Sequence, residues 1–232
     1  IVNKNKTEKN RIIKHNLGTN NVSFVHHKKK KKFKPLSQHN KGEIERLKEK
    51  YNLPDQFILY LGRLNVRKNI SNLIVAMQFV DLPLVIVGKP DHKIENLTTT
   101  INKLNLNKKI NFTGFIEEEE LPIIYALATV FCFPSYAEGF GLPPLEAMAS
   151  GTPVVVSDRT SLPEVCEDAA LYVNPDDPKD IAQKINSLLA SMEIIDIFVN
   201  KGLNHSSKFT WKKATKSLME IITKTNDSQT DL

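Results

Sequence analysis

Two glutamates, Glu138 and Glu146, are separated by seven residues that include the glycines Gly139 and Gly141. Two consecutive prolines follow the glycines and suit the first turn of a helix, where a missing N–H costs nothing. Backbone amides at the start of a helix attract anions, phosphates above all. A carboxylate beside them can accept hydrogen bonds from hydroxyl groups. The pattern therefore predicts a site for a ligand that carries both phosphate and hydroxyl groups, such as a nucleotide sugar.

A second set of candidate residues is cationic. Arg63 and Lys68 follow a short apolar segment that ends at Gly62. Open parallel sheets bind their ligands at the carboxyl ends of the strands. Two cations at such a place can neutralise a diphosphate and stabilise the charge that develops on it as it departs. Their spacing alone favours ordinary surface charge, so the interpretation depends on where the pair lies in the fold.

The segments that must position these residues alternate between strand and helix patterns. Short apolar segments, several rich in β-branched residues, predict six strands, at 57–62, 84–88, 110–114, 130–134, 152–157 and 170–173. Helices are predicted at 42–50, 70–80, 94–104, 118–128, 143–150, 161–168, 180–190 and 209–224. Strands that alternate with helices in this way predict an α/β fold with a doubly wound parallel sheet.

The segment EGFGLPPLEAMASGTPVVVS, residues 138–157, resembles the donor-site signature of the retaining glycosyltransferases of family 4, the group 1 glycosyltransferases. The resemblance covers roughly the last three quarters of the chain. These enzymes have the GT-B fold of two facing Rossmann-like domains. The resemblance implies that this chain is the C-terminal, donor-binding half. Because most of an acceptor domain is missing and the sequence starts without Met, we expect a truncated chain.

The resemblance also implies a role for each matched residue. Glu138 would lie against the transferred sugar, and Glu146 would bind the ribose hydroxyls. Arg63 and Lys68 would hold the diphosphate, so the three catalytic candidates are Glu138, Arg63 and Lys68. Further donor contacts are expected from Gly62, from the loop residues Gly139, Phe140, Gly141 and Leu142, and, at the base, from Phe115 and Ile116. Packing in the core or at the rim is an equally good interpretation of Phe115.

The activity that the resemblance implies is retaining transfer of a sugar from a nucleotide-diphosphate sugar to a glycan or lipid-linked acceptor, in cell-envelope or polysaccharide biosynthesis. A missing N-terminal domain or a partner chain would bind the acceptor. The donor is a substrate, so no permanently bound cofactor is expected. No metal is expected either, because the sequence has no Asp-x-Asp triplet and the consecutive acids at 117–120 point in different directions.

Two other functions remain open at this point. The chain could be a nucleotide-sugar-binding module without turnover. It could also be a dinucleotide-binding oxidoreductase domain, since Gly139 and Gly141 lie between a strand and a helix and Asp158 follows the next strand. Against the oxidoreductase, Pro144 replaces the third glycine of that motif, and residues 135–138 separate the glycines from the strand.

The positive charge of the chain is concentrated near its start. Residues 1–50 contain 15 Lys and Arg and four acids, so they carry +11 while the remainder carries −5. The lysine run, Lys28, Lys29, Lys30, Lys31 and Lys32, predicts a solvated segment, with contact to an anionic membrane surface as the alternative. Aromatic and basic residues are not interleaved on any segment, so nucleic-acid binding is not expected.

These patterns divide the chain into three parts. We expect a basic N-terminal remnant at 1–50, a nucleotide-sugar-binding domain at 51–208, and a terminal helix with a frayed tail at 209–232. Only two cysteines occur, Cys132 in an apolar strand and Cys166 near the end of a predicted helix, and the first residues lack the apolar core of a signal peptide. A cytoplasmic protein, with or without contact to the membrane surface, is the corresponding expectation.

Overall fold

The computed structural model describes residues 32–89 and 97–227, and the described residues from Phe33 onward belong to one compact unit. The lysine run lies outside the described residues, except for Lys32. The start of the helix predicted at 94–104 lies outside them as well.

A six-stranded sheet forms the centre of this unit, in the order β3-β2-β1-β4-β5-β6. All neighbouring strands run parallel. The doubly wound, Rossmann-like α/β fold predicted from the sequence is therefore confirmed. The strands are β1 (Ile58–Leu61), β2 (Leu84–Val87), β3 (Ile110–Gly114), β4 (Val130–Phe133), β5 (Val154–Ser157) and β6 (Ala170–Val173).

Burial of the central strands explains their composition. Every residue of β2, β4 and β5 is buried, as are the first three residues of β1. Parallel strands with helices on both faces lack the alternation of apolar and polar residues that marks a half-exposed strand. Cys132 and Cys166 are buried in this core, and burial raises the pKa of the Cys166 thiol to about 12, so it stays protonated near neutral pH.

Helices cover both faces of the sheet. One layer joins α2 to α3 and α7, and the other joins α1, α4, α5 and α8 in a row. Most predicted helices are present with small shifts at their ends, but the helix predicted at 118–128 begins only at residue 121. The helices are α1 (Lys41–Lys50), α2 (Ile70–Ala76), α3 (Leu97–Lys103), α4 (Leu121–Leu127), α5 (Leu142–Ala149), α6 (Leu162–Cys166), α7 (Pro178–Leu189), α8 (Met192–Ser206) and α9 (Trp211–Asp227).

Helix α8 is an element that the sequence analysis did not predict. Ser191 caps its start by accepting a hydrogen bond from the amide of Ile194, and Gly202 lies buried within it. A Cβ atom on Gly202 would lie 3.1 Å from Cγ of Met148 on α5. The absence of a side chain at position 202 therefore allows α8 to pack closely against α5.

The strand order creates a crevice between β1 and β4. From β1 the chain continues through α2 to β2, toward one edge of the sheet. From β4 it continues through α5 to β5, toward the opposite edge. The loops that leave β1 and β4 therefore turn away from each other at neighbouring positions. Such a switch point is where open α/β sheets bind ligands.

A close approach between two strands requires glycine at position 88. Gly88 follows β2, and Gly62 follows β1 beside it. A Cβ atom on Gly88 would lie 1.9 Å from the carbonyl oxygen of Gly62, a distance that no side chain can occupy. Backbone atoms form this contact, so they can yield only if one of the strand ends moves.

We expect Gly88→Ala to lower the free energy of unfolding by at least about 2 kcal/mol, because the new methyl group overlaps a backbone oxygen. Urea unfolding followed by circular dichroism measures the change. The matched control is Gly139→Ala, since a Cβ atom there has no neighbour within 4 Å and the residue has no positive φ. Equal stability of the two variants would contradict this account of Gly88.

Ion pairs to a single glutamate fasten α1 to the start of α4. Glu120 accepts hydrogen bonds from Arg46 at 3.1 Å, from Lys50 at 2.9 Å and from the hydroxyl of Tyr51 at 2.5 Å. Partial burial alone would raise the pKa of Glu120. The hydrogen bonds from Tyr51, Lys50 and Arg46 outweigh burial, so the pKa lies below that of an ordinary glutamate.

The lowered pKa of Glu120 gives the stability of the protein a defined pH dependence. Its contribution is present above the pKa of an unfolded glutamate, about 4.3, and disappears as the pH falls through the lower folded value. We expect the stability difference between the parent and Glu120→Gln to be largest above about pH 5 and to shrink below about pH 4. Urea unfolding across this range tests the expectation, with the exposed Glu117→Gln as control. A difference that does not change with pH would exclude the ion pairs as its cause.

Candidate functional site

The loop after β1 is shaped by asparagines. The side-chain oxygen of Asn65 accepts a hydrogen bond from the amide of Lys68 at 3.2 Å and caps the 3-10 turn Val66–Lys68. Asn69, which follows the turn, has a left-handed backbone with φ 56°, a conformation that asparagine tolerates better than most residues. The turn ends with Lys68 half-buried beside the loop that leaves β4.

Lys68 and Glu138 form an ion pair across the crevice. The Lys68 Nζ atom lies 2.6 Å from Oε1 of Glu138, and only 12% and 10% of the two side chains are exposed. The same ammonium group lies 4.8 Å from the centre of the Phe133 ring, at the end of β4. The structure thus joins two residues that the sequence analysis assigned to the diphosphate and to the sugar.

The loop after β5 holds the main chain around Glu138. The amide of Glu138 donates a hydrogen bond to the hydroxyl of Thr160 at 3.0 Å. The hydroxyl of Ser161 lies within hydrogen-bond distance of the carbonyl oxygens of Glu138, at 3.0 Å, and Phe140, at 2.9 Å. Thr160 has φ 57°, which is strained for a β-branched residue. The position of the glutamate therefore depends on β5 as well as on β4.

The glycine loop supplies amide donors. Among the described residues, no hydrogen-bond acceptor is found for the amides of Gly139, Phe140, Gly141 and Leu142. The next two residues are prolines without N–H groups. The expectation that the first helical turn itself offers these donors is therefore wrong in part, because three of the four lie in the loop before α5 and only Leu142 belongs to the helix.

Gly141 places this loop against α6. Its φ is 113°, a left-handed value that favours glycine. A Cβ atom there would lie 2.9 Å from Cδ2 of Leu162. Phe140 and Leu142, on either side of Gly141, are 47% and 55% exposed. The loop therefore directs its apolar side chains outward while its backbone stays close to the protein.

Glu146 lies at the start of the second turn of α5. The hydroxyl of Tyr125, on α4, donates a hydrogen bond to Oε2 of Glu146 at 3.1 Å. Tyr125 is fully buried, and burial together with the charge of Glu146 raises the pKa of its hydroxyl well above the usual value. The tyrosine therefore remains protonated and orients the carboxylate.

Arg63 lies at the open end of the crevice. Its side chain is exposed and makes no hydrogen bond or ion pair within the described residues. Its carbonyl oxygen is held by the hydroxyl of Tyr60, which donates at 3.1 Å. Burial and the charge of Glu138 raise the pKa of this hydroxyl above the usual value. Gly62 lies between the end of β1 and Arg63.

The two residues expected at the base occupy different environments. Phe115, directly after β3, is 57% exposed, and the Lys89 Nζ atom lies 4.8 Å from the centre of its ring. Ile116 is buried, with 2% of its surface exposed. Only the backbone of Ile116 can therefore contact a ligand, whereas the ring of Phe115 is available for stacking.

Several residues that shape the site were not singled out from the sequence. Tyr125 looks like one more apolar residue of a helix, and Thr160 and Ser161 like the ordinary start of the next one. Asn69 directly follows Lys68, and its left-handed backbone was not predicted. Their partners lie between 21 and 106 residues away along the chain. No local pattern identifies such contacts.

Two further properties concern only the described part of the chain. Within residues 32–89 and 97–227, no group of three or more His, Cys, Asp and Glu side chains could hold a metal ion. None of the helices described there combines the length and apolar character needed to cross a membrane.

Comparison with known proteins assigns the family. The family model "Glycosyl transferases group 1" matches residues 43–205, which include both loops of the crevice. The chain belongs to the group 1 glycosyltransferases. The oxidoreductase interpretation accordingly has no support beyond its glycine pair.

Individual group 1 glycosyltransferases and related structures agree with this result. The chain is 37% identical over 174 residues to O-antigen chain mannosyltransferase B of Escherichia coli, covering 72% of this chain and 46% of that protein. Sucrose-phosphate synthase of Thermosynechococcus elongatus superposes with a TM-score of 0.74 at 28% identity, covering 85% of this chain and 51% of that one. The C-terminal domain of the group 1 protein LpcC from Francisella tularensis, at 24% identity, has the same fold with a TM-score of 0.65, covering 76% of this chain and 94% of that domain.

The length of the match matters for this group 1 glycosyltransferase. The chain spans about half the length of the curated relative described above. It spans nearly all of the LpcC domain.

We expect Lys68 and Glu138 to stabilise the fold as a coupled pair. A double-mutant cycle with Lys68→Met and Glu138→Gln should give a coupling energy of about 1.4 kcal/mol, because the two charges are nearly buried. Urea unfolding of the parent, the single variants and the double variant measures it.

The matched control for this cycle is the pair Lys48 and Asp55. Their atoms also lie 2.6 Å apart, but 26% and 89% of the side chains are exposed. Solvent weakens such pairs, so the coupling should be clearly smaller there. Additive effects of the Lys68 and Glu138 substitutions would show that the contact does not hold the two loops together.

Proposed function

We propose that this chain is the donor-binding half of a retaining glycosyltransferase and that its crevice binds a nucleotide-diphosphate sugar. The observation that carries the proposal is the 2.6 Å contact between Lys68 and Glu138, beside four backbone amides that have no acceptor among the described residues. Cationic and amide donors suit phosphate oxygens, and a nearby carboxylate suits sugar hydroxyls.

Binding of the diphosphate uses the donors that the protein leaves open. The ammonium group of Lys68 has three N–H donors and gives one to Glu138, so two remain for phosphate oxygens. Arg63 is exposed at the mouth of the crevice and can close on the ligand from the other side. Both cations, together with the loop amides, stabilise the negative charge that the diphosphate gains as it departs.

Pairing with Lys68 makes Glu138 compatible with a phosphate site. An isolated carboxylate would repel the diphosphate, whereas the ion pair carries no net charge. One oxygen of Glu138 contacts Lys68, and the other can accept from a hydroxyl of the donor sugar. On α5, the Tyr125 hydroxyl binds one oxygen of Glu146, which is half-buried, and ribose hydroxyls are its proposed ligands.

In the proposed reaction, the bond between the anomeric carbon and the diphosphate oxygen breaks, and a bond to the acceptor oxygen forms on the same face of the sugar. The departing phosphate oxygen lies on that face and takes the proton of the acceptor hydroxyl. The protein contributes orientation and charge stabilisation, which are the main contributions available in a reaction of this kind.

The acceptor site lies on another domain or another chain in this proposal. The matched relative is about twice as long as the aligned region, which supports a GT-B arrangement with a second Rossmann-like half. That relative is named a mannosyltransferase of O-antigen chains, so we propose a mannosyl donor, a glycan or lipid-linked acceptor and a place in cell-surface polysaccharide assembly. A cytoplasmic location facing the membrane fits such acceptors.

A second candidate function follows from the difference in length between this chain and the matched relative. If no other polypeptide completes the active site, the chain is a nucleotide-sugar-binding module without turnover. The donor site is the same in both cases. Transfer assays with and without a candidate N-terminal half distinguish them, because only a completed enzyme transfers sugar to an acceptor.

We expect the two glutamates to affect different parts of the donor. Glu146→Ala should weaken binding of the nucleoside diphosphate about tenfold, through loss of the ribose contact. Glu138→Ala should leave that affinity equal or stronger, because it frees Lys68, and should remove the additional affinity that the sugar provides. Calorimetric titration of each variant with GDP and GDP-mannose, UDP and UDP-glucose, and ADP and ADP-glucose measures both effects.

The control for these titrations is Glu193→Ala, an exposed glutamate at the start of α8. It should bind every nucleotide like the parent. Parent-like binding by both site variants would place the donor elsewhere. A parent that binds NAD and none of the nucleotide sugars would refute the proposed function.

A further inference from the structure

Asn69 is a buried polar residue beneath the crevice. Only 3% of its surface is exposed, and it lies between Lys68 and the first residue of α2. Its side chain does not cap that helix, although asparagine commonly does so. The amide group is used for other contacts.

Both amide hydrogens of Asn69 bind carbonyl oxygens from distant loops. The Nδ2 atom donates to Pro134 at 3.0 Å and to Pro175 at 2.7 Å. Pro134 directly follows β4 and begins the loop that carries Glu138, and Pro175 lies between β6 and α7. A carbonyl oxygen only accepts, so both contacts require an N–H donor, which asparagine has and aspartate lacks.

A neighbouring asparagine extends the same connection. The side-chain amide of Asn72, on α2, donates to the carbonyl oxygen of Pro175 at 2.9 Å and to the hydroxyl of Tyr136 at 3.1 Å. The amide of Tyr136 donates in turn to the carbonyl oxygen of Arg67 at 2.9 Å. The loops after β1, β4 and β6 thus meet beneath the ion pair.

We propose that Asn69 is a positioning residue that fixes the distance between Lys68 and Glu138. Lys68 is its immediate neighbour in the chain, and Glu138 lies four residues after Pro134. A single amide that holds Pro134 therefore sets how far apart the two loops stand. Asn69 has a left-handed backbone, and its side chain reaches both carbonyl oxygens instead of capping α2. The consequence for donor binding rests on the proposed function, whereas the consequence for loop geometry does not.

The test compares the parent with Asn69→Gly in the full chain. Glycine adopts the left-handed backbone without strain and adds no charge, so this variant removes only the amide. Asn69→Asp is the second variant, since aspartate also tolerates this backbone but presents an acceptor to two carbonyls. The matched control is Asn105→Asp, at an exposed asparagine that also has φ 56° and no side-chain hydrogen bond within the described residues.

The first measurement is amide hydrogen exchange without ligand. We expect exchange of the hydrogen-bonded amides in segments 63–68 and 135–138 to become at least about tenfold faster in Asn69→Gly and Asn69→Asp, with β2 and β5 unchanged. Asn105→Asp should match the parent in these segments. Parent-like exchange in both loops would overturn the inference. Faster exchange throughout the sheet would also overturn it, because Asn69 would then be a general stabilising residue.

The second measurement compares a nucleoside diphosphate with its monophosphate, using whichever of the guanine, uracil and adenine nucleotides the parent binds. Asn69→Gly should lower the affinity for the diphosphate about tenfold and the affinity for the monophosphate less than about twofold, because the misplaced Lys68 is proposed to hold the diphosphate. An equal loss of affinity for both ligands would contradict the positioning role. A parent that binds no nucleotide would count against the proposed function alone, and the exchange measurement would still decide the role of Asn69.

Discussion

The candidate site depends on one nearly buried contact between opposite charges, Lys68 and Glu138. Removing water from two charges is costly, and either charge alone at this position would destabilise the fold. The pair therefore requires both loops to arrive in register. The ring of Phe133 lies beside the Lys68 ammonium group, and Asn69 connects the two loops beneath the ion pair. Geometry and charge are consequently coupled in this crevice, since neither loop can move without exposing or isolating a charge.

The sheet provides this register. In the parallel pairing of β1 with β4, Ile58 lies beside Val130 and Leu59 beside Phe131, so the two strands end at the same level. On the other side of β1, Gly88 approaches the carbonyl oxygen of Gly62 so closely that no side chain fits. Strand ends that are packed this tightly cannot slide. The loops after β1 and β4 therefore start from fixed points, which is the condition for a site formed by residues from different strands.

The sequence predicts the strands well because all are short and the four central ones are buried and mostly β-branched or aromatic, and the alternation with helices then limits the topology. It does not predict α8, because glycine is unfavourable inside a helix and the reason for Gly202, its close packing against Met148, is visible only in the folded chain. At the site, residue types and spacing indicated Glu138 and Glu146, and the family resemblance indicated Lys68, whereas the bond from Tyr125 to Glu146 could not be predicted. Such bonds join residues that only the folded chain brings together, and apolar patterning carries no information about them.

The site divides into a fixed half and an open half. Lys68 and Glu138 are held by neighbours on several strands, whereas Arg63, Phe115 and Phe140 are exposed at the rim. In the proposed function, the fixed half meets the part of the ligand where charge develops, because stabilisation there requires donors that need not reorganise. In the same proposal, the open half meets the base and faces the acceptor. Exposed cationic and aromatic side chains at the rim can adapt to a ligand and to a second domain without disturbing the buried pair beneath them.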